Sequence, residues 1–349
     1  MTDIFELADA LAPPKTIHIH EPSIGLQGIL VIDNIASALA AGLPHGGGKA
    51  VLYGDPRMPK SEKERLIRAL ANALRNTEDY IFAPDMGTDE ECMAWIQDEI
   101  GRVVARPREI GGIPLDEIGA TGWGLSHVTD VALEYCDFEL NKARIVVQGF
   151  GAVGRHTARF LTDKGAVLVG AADSAGSIHN PDGLDVARLS EIKQSGGSLF
   201  DYADAERLNR DAVVDIECDI WIPAARPDVI HENNVHRLKT KLVIEGANIP
   251  VTQGAEKILA DRGIVCVPDF IANAGGVICA AMEYHGASEA AALQSIEEKL
   301  RRNTRLVLED AAKRNILPRQ AAVELALARV KKAMSFRRYS LFSTAPGFV

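Results

Sequence analysis

Cysteine is scarce in this chain and poorly arranged for chemistry. The five residues Cys92, Cys136, Cys218, Cys266 and Cys279 are far apart, odd in number and form no CxxC pair. That excludes a disulfide frame and a cysteine zinc site, and reads as reduced thiols. No apolar run is long enough to cross a bilayer, and the opening MTDIFELADALAPPK has no basic stretch followed by an apolar one. The expectation is a cytoplasmic protein with no membrane partner. Excess positive charge is also missing. Thirty-eight basic residues against 48 acidic ones leave a formal charge of −10, which argues against a nucleic-acid backbone or an anionic membrane as partner. A local basic pocket for a small anion stays open. There is no internal repeat and no low-complexity tract.

What is present is an ordinary globular composition, 47% hydrophobic and 25% charged over 349 residues, enough for two domains with separate cores. A helical pattern runs to about Leu11 and is broken at Pro13-Pro14. Strand-like runs follow at Thr16–His20, Gly28–Ile32 and Ala50–Tyr53, then a helix from Lys60 to Arg75 with Leu66, Leu70 and Leu74 on one face. Tyr80–Ala83 reads as a strand, and Thr88 with the acids after it as a helix start. Beyond a helix at Trp123–Tyr135, the runs Arg144–Gln148, Val167–Ala171, Asp219–Ile222, Lys241–Glu245 and Ile264–Val267 alternate with helical stretches. Such alternation predicts βαβ units and a parallel sheet. Helices close the chain at Glu289–Arg314 and Arg319 to about Phe336. The expected fold is α/β: an N-terminal α/β catalytic and oligomerisation domain over 1–130, rejoined by a helix at about 320–349, and a Rossmann domain over 131–319. The boundary falls near residues 125–140.

RIVVQGFGAVGRHTARFL carries Gly149, Gly151 and Gly154 as GxGxxG, after a predicted strand and at the start of a predicted helix. That context gives the motif its weight. Gly149 allows a tight turn, Gly151 a close approach of backbone to pyrophosphate, and Gly154 close packing of helix on strand. The turn residues Gly149, Gly151, Ala152, Val153 and Gly154 are therefore candidate cofactor residues, with the pyrophosphate at the helix N-terminus. The next strand ends at Asp173, 24 residues after Gly149, where an acid binds ribose hydroxyls and repels a 2′-phosphate. NAD is expected over NADP.

Gly46-Gly47-Gly48-Lys49 is not a phosphate loop, because Leu43 and Ala50 break the G-x-x-x-x-G-K-[ST] pattern. A lysine behind three glycines and before an apolar strand is partly desolvated, which lowers its pKa and suits it to proton chemistry; an exposed loop lysine fits the same residues. Asp85, in YIFAPDMGTDE, follows a strand and precedes a helix. It reads equally as a functional carboxylate or as a helix cap. His18, His20 and His45 match no metal-ligand spacing, and no acid or cysteine completes a set; no metal is expected.

Taken together, these strings resemble the glutamate/leucine/phenylalanine/valine dehydrogenases. GLPHGGGKAVLYGDP resembles the catalytic-lysine segment, YIFAPDMGTDE the catalytic-aspartate segment, and EIGATGWG the strip joining the two domains. QGFGAVG with ADSAGSIHNPDGLD resembles the dinucleotide fold, and CDIWIPAA, VIEGANIPVT and VPDFIANAGGV the strand ends after it, in the family's order from about Gly42 almost to the C-terminus. The resemblance implies reversible oxidative deamination of an L-amino acid to a 2-oxo acid and ammonia, with hydride transfer to NAD, in a homo-oligomer. It implies that Lys49 stabilises developing charge and activates the attacking water, and that Asp85 shuttles protons. Asn248 and Asn273 match asparagines near the nicotinamide ribose and the substrate. Ala224 and Ala225 match the cofactor side, and Gly46, Gly47, Thr121 and Ala280 the substrate side, of a cleft between the domains that closes to exclude water.

The resemblance breaks upstream of Gly42. ILVIDNIAS resembles the strand leading into a glycine-glycine turn, and ALAAGLPHGGGK the segment just after the family's substrate-carboxylate lysine. Here Ser37 runs straight into Ala38, and no lysine or arginine lies between Lys15 and Lys49. Ser37 cannot supply the missing charge. Two readings fit: an internally deleted version of an active enzyme, which the close match of both flanks favours, or a degenerate member that binds NAD with impaired turnover. Ala280 stands where glutamate-specific members place a serine, which leaves an apolar substrate side chain open; GATGWG looks more like the glutamate members.

Overall fold

The computed structural model describes residues 15–21, 26–33, 41–43, 45, 47–55 and 58–335. The helical pattern near Leu11, the junction of Ser37 with Ala38, and Gly46 lie outside them. Contacts divide the chain into two units. The first comprises Met1–Pro114, Cys279–Glu289 and Leu327–Val349; the second Leu115–Ile278 and Ala290–Ala326.

In the first unit, β1 (Lys15–Glu21), β2 (Leu26–Asp33) and β3 (Gly47–Tyr53) form an antiparallel sheet in that order. Ile19 and Leu30 bury against Ile67, Leu70 and Leu74 of the segment around α1 (Lys60–Ala73), and Met93 and Ile96 of α2 (Glu90–Ile100) complete the core. The period-four leucine stripe that predicts α1 is thus its buried face. Two details correct the sequence reading. Tyr80–Ala83 makes a single bridge, Phe82 to Val103, and no strand; Pro84 follows and has no N–H to continue a ladder. Asp89, not Thr88, caps α2 by accepting from Cys92 N at 3.0 Å. Thr88 is used elsewhere, as described below.

In the second unit a seven-stranded sheet has the order β10-β9-β8-β4-β5-β6-β7. The strands are β4 (Arg144–Gln148), β5 (Val167–Ala172), β6 (Ser177–His179), β7 (Glu206–Leu208), β8 (Ile220–Pro223), β9 (Leu242–Ile244) and β10 (Val265–Val267). The five from β10 to β5 run parallel, and β6 and β7 are an antiparallel edge. The apolar runs of β4, β8 and β9 are buried on both faces, as their lack of alternation predicts. Strand order reverses between β4 and β8, so the loops after these strands form the crevice where this fold takes ligands. The break between the units falls at Pro114, ahead of the boundary at residue 130 expected from the sequence. The reason is α3 (Leu115–Ile118) and α4 (Ala120–Ala132), which pack on α5 (Ala152–Asp163). Gly122 permits that approach, since a Cβ there would lie 2.7 Å from Thr157 N. Helices α6 (Val186–Gln194), α7 (Gln253–Asp261), α8 (Asp269–Ala272), α9 (Gly275–Tyr284), α10 (Glu289–Arg314) and α11 (Pro318–Ser335) complete the α-helices among the described residues. Among the described residues no helix is long and apolar enough to cross a membrane.

Candidate active site

Lys49 and Asp85, 36 positions apart in sequence, form an ion pair in the first unit. Lys49 sits mid-strand in β3, paired in register with Val31. Asp85 is held by its own turn: Thr88 N and Oγ1 both donate to the Asp85 carbonyl, at 2.8 and 2.9 Å, and Asp85 N donates to Thr88 Oγ1 at 2.8 Å. Its Oδ1 accepts from Met86 N at 2.7 Å, which leaves Oδ2 for Lys49. Asp85 is therefore not the cap of α2, whose N-cap is Asp89. Desolvation holds the Lys49 ammonium below the usual lysine range. With 63% of the side chain exposed the desolvation is partial, and the ammonium can still reach a solute.

Gly47 is paired with Asp33 at the start of β3. Ala280 is half-buried in α9. His45 is drawn to a histidine the sequence reading did not single out: its Nε2 lies 3.3 Å from His285 Nε2, the rings stack at 5.3 Å, and burial with His285 lowers the His45 pKa. One nitrogen must donate and the other accept, which accounts for the contact without a metal. Glu283, next to Tyr284, is buried and accepts from Ala105 N at 2.7 Å and Arg106 Nε at 2.8 Å.

The dinucleotide candidates lie in the second unit. Gly149 has φ +102° and its Cβ would come within 2.6 Å of the Ala225 Cβ; a Cβ at Gly154 would strike the Gly149 carbonyl. Gly151 differs, with nothing within 4 Å of such a Cβ. Two glycines are needed by the protein's own packing, while the third keeps space open above the turn. Gly151 is the N-cap of α5 and no side chain caps that helix, so the first-turn N–H groups of Ala152, Val153 and Gly154 face that space. These residues fit a pyrophosphate. Ala224 N donates to the Gln148 carbonyl at 2.7 Å, which brings Ala224 and Ala225 beside the turn. Asn273 Nδ2 donates to Asn248 Oδ1 at 2.8 Å, so two distant asparagines form one unit. Thr121 faces the start of α9, where a Cβ at Gly276 would lie 2.9 Å from its Oγ1.

Asp173 directly follows β5, at the strand end expected from the sequence, and its side chain is only 6% exposed. Oδ2 accepts from Lys193 Nζ at 2.8 Å and Leu199 N at 3.0 Å, and Oδ1 from Ala175 N at 2.9 Å. These donors keep it ionised, below the usual carboxylate range against the opposing pull of burial. Lys193, on α6, had no sequence signal because nothing in its helix marks the end that folds back onto β5.

Comparison with known proteins decides the family. Residues 111–338 match Glutamate/Leucine/Phenylalanine/Valine dehydrogenase, and residues 30–102 match the Glu/Leu/Phe/Val dehydrogenase dimerisation domain. A glutamate dehydrogenase of Aeropyrum pernix is 35% identical, over 94% of this chain and 84% of its own. The chain belongs to the glutamate/leucine/phenylalanine/valine dehydrogenase family.

Other members vary in cofactor. The NADP-specific glutamate dehydrogenase of Saccharolobus shibatae is 34% identical over 84% of this chain and 74% of its own. The cryptic catabolic NAD-specific glutamate dehydrogenase of Bacillus subtilis is 34% identical over 84% and 73%. Among solved structures, the hetero-hexameric glutamate dehydrogenase of Thermus thermophilus in its Leu-bound form superposes with a TM-score of 0.85 at 26% identity, covering 94% of this chain and 91% of that one.

Proposed function

We propose that this family member is an amino-acid dehydrogenase that interconverts an L-amino acid and water with a 2-oxo acid and ammonia. The observation that carries this reading is the Lys49–Asp85 ion pair, together with the open cradle over Gly151. The nicotinamide, when bound, supplies the acceptor for the Cα hydride. Lys49, cationic and partly desolvated, stabilises negative charge on the substrate and holds the water that attacks the iminium carbon. Asp85, fixed by Thr88 and Met86, takes the proton from the amine and returns it to departing ammonia, a role that contributes about 10²–10⁴-fold in general acid–base catalysis. We assign the catalytic part to the first unit and the dinucleotide to the second.

The cofactor we propose is NAD, with NADP accepted more weakly; Asp173 brings negative charge to the ribose end, although Lys193 offsets it. The dimerisation-domain match supports a homo-oligomer. Ala280 in place of a serine supports an apolar substrate side chain. A second reading, an NAD-binding member with impaired turnover, is favoured by one observation, the lack of any lysine or arginine between Lys15 and Lys49. One assay separates the two: reduced-nicotinamide absorbance with a panel of L-amino acids and both cofactors. Oxidation of at least one amino acid supports the enzyme, and binding of NAD with no oxidation of any supports the impaired scaffold.

A further inference from the structure

A buried cluster of charged side chains underlies the segment that carries Asn248 and Asn273. Arg319, in the first turn of α11, donates through Nη2 to Glu245 at 2.9 Å, through Nη1 to Asp269 Oδ1 at 2.9 Å, and through Nε to Glu256 at 2.5 Å. The three carboxylate side chains are 0%, 9% and 5% exposed. The Asp269 carboxylate reaches the backbone next to Asn248: its Oδ2 accepts from Ile249 N at 2.8 Å. Asn248 Oδ1 in turn accepts from Asn273 Nδ2 at 2.8 Å, and Asn273 N closes the short helix on the Asp269 carbonyl at 2.7 Å whatever side chain stands at 269. Ile249 has φ +49°, an outlying conformation for a β-branched residue, and is 58% exposed. Such a backbone persists only where its surroundings hold it. Apolar burial does not hold Ile249; the Asp269 bond to its N–H and the Asp228 N–H bond to its carbonyl, 2.9 Å, do.

We propose that Asp269 and Arg319 are positioning residues for dinucleotide binding: Arg319 fixes the Asp269 carboxylate, that carboxylate holds the backbone at Ile249 and with it Asn248, and Asn248 orients the Asn273 amide. This rests on the reading, given above, that the two asparagines face the nicotinamide half. The charges explain why so polar a device can be buried. Three acids surround one guanidinium, and an uncompensated buried charge is costly. Protons relieve the excess. Burial pushes Glu245 up to about 8 and raises Glu256 as well. The Cys266 thiol, 3.3 Å from Glu245, is kept protonated by the same burial. Glu245, Glu256 and Cys266 converge closely enough to suggest a metal, but Arg319 already pairs with both carboxylates and its charge opposes a cation.

The sign of the pH dependence follows. Below about 8 Glu245 holds a proton; Arg319 Nη2 still lies 2.9 Å from it, but the ionised partners of the guanidinium are Glu256 and Asp269. As pH rises through that value a further negative charge appears, draws Arg319 toward Glu245 and loosens its hold on Asp269. Dinucleotide binding weakens on the alkaline side. Stability moves the same way: between the ordinary carboxylate value of 4.5 and about 8 the folded chain keeps a proton that the unfolded chain has released, so this group subtracts stability as pH rises through that window.

The test is titration of the full chain with NADH, read by nicotinamide fluorescence, across this range. Arg319→Met and Asp269→Ala are expected to weaken NADH binding about tenfold at neutral pH, the worth of a charge-assisted hydrogen bond, and Arg319→Lys to recover part of the loss. Glu245→Gln keeps the shape and is expected to bind as the parent does at neutral pH while losing the alkaline fall. It also serves as the decisive variant if Arg319→Met does not fold. A flat parent profile, an alkaline fall that persists in Glu245→Gln, or a folded Asp269→Ala with unchanged affinity overturns the proposal. Failure of the parent chain to bind any NADH overturns the dinucleotide reading itself.

Discussion

At the residue scale the chemistry depends on which partners each charged group keeps. Lys49 and Asp85 stand out in the sequence through the glycines before Lys49, the apolar run before Asp85 and the family-like strings around both, while the geometry of their pairing does not. An ion pair between positions far apart in sequence is set by the register of β3 and by the Asp85–Thr88 turn. Asp173 shows the opposite case. Its position after Gly149 correctly marks the strand end, while the orientation of its carboxylate depends on Lys193 and Leu199, which no local pattern announces. This pairing has a measurable consequence for cofactor choice. With Lys193 in place, the Asp173 charge is largely neutralised, so the proposed preference for NAD over NADP is expected to be modest. Lys193→Met frees the carboxylate and is expected to increase that preference by about tenfold, as one charge-assisted contact is worth. The ratio of the two dissociation constants, before and after substitution, checks it; an unchanged ratio places Asp173 away from the ribose.

At the element scale the turn between β4 and α5 separates packing from binding. Gly154 and Gly151 belong to one motif in the sequence, yet only Gly154 is crowded, with Val147 Cγ1 at 2.8 Å from the site of a Cβ. Gly154→Ala overpacks the junction and is expected to destabilise the fold by about 1–3 kcal/mol, seen as a lower Tm with or without cofactor. Gly151→Ala, with open space around it, is expected to leave Tm unchanged without cofactor and to weaken NADH binding. If Gly151→Ala melts early, or binds NADH as the parent does, the space above the turn is not a pyrophosphate site. The parallel strands were readable because burial on both faces removes alternation, as in Arg144–Gln148. Tyr80–Ala83 was misread because apolar composition alone does not provide a neighbouring strand: only Phe82 finds one, at Val103. The break at Pro114 was missed because it depends on α4 packing on α5 through Gly122, a tertiary contact within what reads as a connecting strip.

At the scale of the whole molecule the family and α/β architecture agree between sequence and structure, because strings spread along most of the chain must all fall in one order. What stays particular to this chain is the abrupt junction of Ser37 with Ala38. If a segment carrying a carboxylate-binding lysine is absent, the chemistry at Lys49 and Asp85 remains while substrate loses its anchor. Losing a charge-assisted hydrogen bond of about 1.5–3 kcal/mol, with orientation besides, lowers both substrate affinity and turnover. Insertion at this junction of a family-type segment with its glycine turn and lysine is expected to raise kcat/KM by orders of magnitude, and to restore nothing in a Lys49→Ala background. An insertion that folds and changes nothing shows that the substrate is held in another way. The central claim, hydride transfer from an amino acid through Lys49 and Asp85 chemistry, has a more direct test that tolerates slow turnover. The full chain is incubated with NAD and a panel of L-amino acids deuterated at Cα, and the reduced cofactor is analysed by mass spectrometry together with released ammonia. The account predicts one deuterium at nicotinamide C4 and one ammonia per reduced cofactor for at least one amino acid, and neither product with Lys49→Ala, which still binds NADH. Reduced cofactor without deuterium, equal product from Lys49→Ala, or no product from any amino acid by a chain that binds NAD would contradict it.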